Sequence, residues 1–103
     1  MTLAPGSLPF ALIMRLDLFL KLSRLCPRRT LAQKLCDAGF VLLNERPAKP
    51  GHAVKTRDQI TIRSRNTETV ARVLNVPATH NVSRAEARLL VEILSQTELK
   101  SEI

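Results

Sequence analysis

Apolar and polar positions recur along this chain with two periods, and the change from one to the other falls at Gly39. Before it, Leu16, Phe19 and Leu20 follow the i, i+3, i+4 spacing of one face of a short helix, with Lys21 and Arg24 left to solvent. Pro27 stops that helix and suits the first turn of another. The second helix is expected over residues 28–38, burying Leu31, Ala32 and Leu35, and Gly39 is placed to cap it in a left-handed conformation.

After Gly39 the period becomes two. Residues 40–43 read as a short strand, Asn44-Glu45 as a turn, and Lys49-Pro50-Gly51 as a break. Ala53-Val54 follows as a short strand and Arg57-Asp58 as a second turn. Gln59 to Arg63 alternates as a half-buried strand should, residues 66–68 turn again, and residues 69–74 form a further strand. Ser83 with Glu86 makes a capping box that predicts a helix over residues 84–94, with Ala87, Leu90, Val91 and Leu94 facing the sheet or the first helices. The expected fold is α+β: two N-terminal helices packed on a small, mainly antiparallel sheet, with a C-terminal helix. It divides into a loosely ordered leader (1–13), a body (14–76), and a C-terminal helix and tail (77–103).

Composition sharpens this picture in three ways. First, 103 residues with 45% apolar content hold one small core, which excludes a disordered basic tail. Second, the formal charge of +7 sits almost wholly in residues 15–65, which carry twelve Lys or Arg against four Asp or Glu. Residues 66–103 carry four against five. The basic body points to nucleic acid, an anionic membrane surface or an acidic protein. Third, Phe10, Phe19 and Phe40 are the only aromatic residues. That is too few for stacking splayed single-stranded bases, so a nucleic-acid partner is read by backbone and shape.

Residues 8–13 are too short for a signal-peptide core and lack a preceding basic residue, and no apolar run of membrane-spanning length occurs. Met14, where the charged body opens, is a candidate start. Cys26 and Cys36, with His52 and His80 isolated in sequence, show no metal-ligand spacing and read as reduced, partly buried thiols. No nucleophile elbow, Gly-rich phosphate loop or paired carboxylates appear, so an enzyme is not expected, nor a metal or other cofactor.

The residues then carry a resemblance. Arg15-Leu16-Asp17 with Phe19-Leu20, Arg29-Thr30 with Ala32, Gly39-Phe40-Val41 and Leu43-Asn44 resemble the RNA-binding domain of ribosomal protein S-four type, the alpha-L motif. Ala48-Lys49-Pro50-Gly51, Val54-Lys55 and Asp58-Gln59-Ile60-Thr61-Ile62 continue the likeness, which covers residues 14–63. Among its small single-domain members the chain is most similar to the ribosome-associated quality-control and heat-shock-protein-fifteen groups.

The resemblance implies a cytoplasmic, monomeric binding protein of the large ribosomal subunit, contacting rRNA and tRNA where a split, stalled ribosome still carries peptidyl-tRNA. It places RNA binding on Arg15, Asp17 and Arg29, with Arg24, Arg28 and Lys34 as neighbours. Ribosome assembly is the alternative role. A basic module for an acidic protein partner, or a membrane-surface protein, are alternatives of other classes.

Two details stay open at this level. Asp17 either orients Arg15 or Arg29 through an ion pair or only complements the helix dipole, worth about 0.3–1 kcal/mol. Against the family pattern, Glu45 and Arg57 stand where turn glycines are usual, and Leu18 stands at an often basic position. Glu and Arg tolerate positive φ poorly, so the two turns are the places to look for strain.

Overall fold

In the computed structural model, which describes residues 13–64, 66–79 and 81–98, the apolar stripe Leu16, Phe19 and Leu20 lies on helix α1 (Leu16–Leu22) and is fully buried. A two-residue strand, β1 (Met14–Arg15), leads into it. Helix α2 (Arg29–Asp37) packs against α1 through Ala32 and Cys36. Leu31, an expected core residue, is instead 38% exposed, and Leu35 is half-buried. The face of α2 turned to α1 is centred one residue further on, at Ala32, whose small side chain lets the helices approach. Gly39 takes φ +83, and the bonds Gly39 N–H to Cys36 O (3.0 Å) and Phe40 N–H to Leu35 O (2.9 Å) close the Schellman end of α2.

Strands β2 (Val41–Leu43), β3 (Arg46–Pro47), β5 (Gln59–Arg63), β6 (Thr67–Val73) and β7 (Val91–Glu98) form an antiparallel sheet in the order β3-β2-β5-β6-β7. Strand β4 (Ala53–Val54) pairs separately with β1, in register Met14 to Val54 and Arg15 to Ala53. Val41, Leu43, Ile60 and Ile62 come from the sheet into one core with α1 and α2.

The two suspect turns are indeed left-handed. Leu43 and Arg46 pair across Asn44 (φ 54) and Glu45 (φ 72), a hairpin turn of type I′. Arg57 (φ 81) occupies the third position of a turn closed by Asp58 N–H to Lys55 O at 3.1 Å.

The C-terminal region differs from the expected helix over residues 84–94. The Ser83–Glu86 capping box is formed, but helix α3 is one turn, Arg84–Ala87, and Val91 opens β7. Spacing alone admits both outcomes for Leu90, Val91 and Leu94. What decides is the edge of β6, whose backbone groups β7 satisfies from Thr67 to Val73. Leu94 becomes the extra residue of a bulge, between Ile93 opposite Ala71 and Ser95 opposite Val70, and is 41% exposed. Ala87 and Leu90 are buried as expected, and Leu90 joins the core that holds α1. Apart from Ile13, the leader lies outside the described residues.

Candidate RNA interface

Helix α1 has no side-chain cap at its start, and its first N–H groups are met by a loop and by its own aspartate. Leu16 N–H donates to His52 O (2.8 Å) and Asp17 N–H to Pro50 O (3.0 Å). Leu18 N–H donates to Asp17 Oδ1 at 2.7 Å. The chain from Pro50 to His52 is thereby tied to the start of α1, and the Arg15 side chain extends over Gly51.

The Asp17 carboxylate is completely buried and is the hub of the arrangement. Arg15 reaches it with a fork, Nε to Oδ1 at 3.1 Å and Nη2 to Oδ2 at 3.2 Å. From the first turn of α2, Arg29 Nε donates to Oδ2 at 3.3 Å, and one turn later Gln33 Nε2 donates to the same oxygen at 2.8 Å. A buried carboxylate with so many donors stays ionised. Burial alone pushes its pKa up, but hydrogen bonds from Arg15, Gln33, Arg29 and the Leu18 N–H outweigh that and hold it at about 2. In return, the hydrogen bond and charge of Asp17 raise the pKa of Arg15.

The arginines are anchored by their inner edges only. Arg15 keeps 53% of its side chain exposed and Arg29 keeps 42%. Arg15 Nη1 and both Nη groups of Arg29 are not spent on Asp17. Two guanidinium planes are therefore held at one place with their donor ends toward solvent. That geometry suits the oxygens of a phosphodiester backbone.

Of the six residues singled out in the sequence, the structure brings Arg15, Asp17 and Arg29 into direct contact. Arg28 stands exposed beside them as the residue preceding α2, Lys34 is exposed in the last turn of α2, and Arg24 lies past the far end of α1. Gln33 escaped the sequence reading because it carries no charge. Its place four residues after Arg29 was the available signal, since such pairs share a helix face. Cys26 and Cys36 lie in the core, where burial pushes both thiols up to about 11. Among the described residues no acidic, His or Cys cluster suits a metal ion, and no helix is long and apolar enough to cross a membrane.

Comparison with known proteins places these features in a context. The S4 domain family matches residues 14–60. A protein of Halalkalibacterium halodurans named RQC P-site tRNA stabilizing factor is 41% identical over 86% of this chain and 100% of its own length. Its namesake in Streptococcus pneumoniae is 33% identical over 87% of this chain, again along its full length. In three dimensions the chain is similar to the trimeric heat shock protein 15 of Vibrio cholerae, with a TM-score of 0.72 and 27% identity over 82% of this chain and 84% of the other.

Proposed function

This chain belongs to the S4 domain family, together with the proteins named RQC P-site tRNA stabilizing factor, and from that premise we propose that it binds structured RNA of the ribosome through the arginine pair anchored on Asp17. Its partners are large-subunit rRNA and tRNA, met on stalled large subunits that still carry peptidyl-tRNA, in ribosome-associated quality control. It works in the cytoplasm as a monomer, and by binding instead of catalysis.

The observation that carries this reading is the pair of exposed guanidinium ends fixed on one buried carboxylate. A pair already held in place loses little side-chain freedom on meeting RNA, which is the advantage of preorganisation. Arg28 adds charge beside the pair, while Arg24 and Lys34 extend the basic surface along the two helices. A-form RNA presents phosphates and a shallow minor groove, which such a surface can meet without exposed aromatic residues.

The test is crosslinking of the full chain to RNA in cells. Large-subunit rRNA recovered together with tRNA supports quality control. Precursor rRNA alone points to assembly, and recovery of neither removes the RNA reading. In the control variant, Arg29→Gln, the amide can still donate to Asp17 while the guanidinium is gone; crosslinking should fall sharply. Replacing both arginines by Glu is a poor control, because it strands the buried Asp17 charge and adds repulsion, a change that costs about 3–5 kcal/mol in comparable buried pairs.

A further inference from the structure

Arg24 does not join the cluster on Asp17. It meets the C-terminal region instead. An open groove of about 570 Å³ is lined by Arg24 and Leu25 together with Arg84, Arg88, Val91 and Ile93. Three arginines from segments sixty residues apart in sequence thus face one hollow with no acidic residue in its lining.

The charges of the C-terminal region are sorted around this groove. Arg84 and Arg88, four residues apart, line it and are exposed. Glu86 is turned back to the Ser83 N–H at 2.9 Å. Glu92 sits across from Arg72 in the strand register and lines a separate hollow. A segment that is nearly neutral as a whole therefore contributes positive but no negative side chains here. The four ion pairs among the described residues involve none of the three arginines.

Helix α1 ends in a left-handed residue, as helices commonly do, and this end sets Arg24 at the groove. Arg24 has φ 65, held by its N–H bond to Lys21 O at 3.1 Å. A non-glycine residue in that region costs about 1–3 kcal/mol and persists where the surroundings enforce it. Asn would serve such a helix end more cheaply, and the chain keeps an arginine.

We infer that this groove is a second RNA-backbone site, in which Arg24, Arg84 and Arg88 hold phosphates other than those met by Arg15 and Arg29. The inference rests on the RNA-binding reading above. Helix α1 has seven residues, about 10 Å at 1.5 Å per residue, so no single phosphate reaches both of its ends. The lining has no aromatic residue to stack a base, which favours backbone contact, and the apolar floor of Leu25, Val91 and Ile93 suits ribose faces.

The test measures binding of the full chain to purified tRNA, to protein-free large-subunit rRNA and to intact large subunits over a salt series. Arg84→Gln/Arg88→Gln should lower affinity about tenfold on at least one of the two protein-free RNAs and flatten the log–log salt slope by about 1.5, since each lost phosphate contact contributes roughly 0.7–0.9. The same loss should appear in the Arg29→Gln background. Arg84→Lys/Arg88→Lys should keep the slope and lose only part of the affinity, which guards against a folding artefact in the first variant.

Unchanged affinity and slope on all three probes overturns the groove and leaves the first site standing. A loss confined to intact subunits also overturns it, in favour of an acidic protein segment. If the unmodified chain binds neither RNA, the functional reading itself fails, and the groove with it.

Discussion

Two buried aspartates hold this molecule together, and they are used differently. Asp17, fully buried, is surrounded by long side chains whose far ends remain in solvent. Asp58, 5% exposed, is surrounded by the turns it ties: it accepts Lys55 N–H at 2.9 Å and Asn44 Nδ2 at 3.1 Å, and Asn44 Oδ1 in turn accepts Gln59 N–H at 2.9 Å. Lys55 Nζ adds a long contact at 3.4 Å from an exposed position. One carboxylate thus ties the backbone and side chains of two turns and closes a structure. The other spends itself on guanidinium groups and presents them. The same chemistry closes a structure where the donors end at the carboxylate, and holds exposed guanidinium groups where they continue past it.

Asp17→Asn and Asp58→Asn should separate the two carboxylates most strongly. At neutral pH Asp17→Asn should cost about 2 kcal/mol of stability, since a carboxylate held at about 2 instead of 3.8 gains 1.36 kcal/mol per unit on folding. Asp58→Asn should cost nearer 1 kcal/mol, the value of hydrogen bonds to a charged acceptor less what the amide oxygen retains. Urea unfolding measures both. Equal losses would remove the energetic distinction.

Acid titration examines the same point without mutation. Because the folded pKa of Asp17 is depressed, its contribution is fully present above pH 4 and is lost as pH falls through the range from about 4 to 2. The melting temperature of the unmodified chain should drop across that window, and the drop should be smaller in Asp17→Asn. Gln33→Ala should come next, at about 1.5 kcal/mol, by removing a 2.8 Å bond to a buried charge, and should weaken RNA binding several-fold through a less constrained Arg29. Loss of stability with unchanged affinity would make Gln33 purely structural. The smallest effect belongs to the turns. Glu45→Gly and Arg57→Gly should each raise stability by about 0.5–1 kcal/mol, because relief of left-handed strain exceeds the entropy lost to glycine. Calorimetric melting resolves such differences in a domain of this size.

Much of the fold is legible in the chain because local rules and tertiary needs agree there. The α1 stripe, the Gly39 cap and the strand from Gln59 to Arg63 each follow from nearest-neighbour chemistry, whereas α1 ends at Leu22 with Arg24 left-handed, well before the Pro27 expected to stop it. Asp17 makes the ion pair, with both arginines on one carboxylate, and also meets the start of α1 through the Leu18 N–H. Three features were out of reach for physical reasons. Leu90 to Leu94 satisfy a helix and a strand equally, and the free edge of β6 decides. Gln33 is silent because neutral donors leave no charge pattern. The meeting of Arg24 with Arg84 and Arg88 depends on a return of the chain that no short-range spacing encodes.

The central claim is that Asp17 aims the arginines instead of merely sitting among them. RNA affinity of folded Asp17→Asn, measured on purified large ribosomal subunits at fixed salt, tests it by sign. The substitution removes a negative charge from a basic face, so charge alone demands equal or tighter binding. Aiming demands the opposite, a loss of tenfold or more as Arg15 and Arg29 lose their common anchor. Weaker binding by the folded variant is the expected result; unchanged or tighter binding would contradict the account.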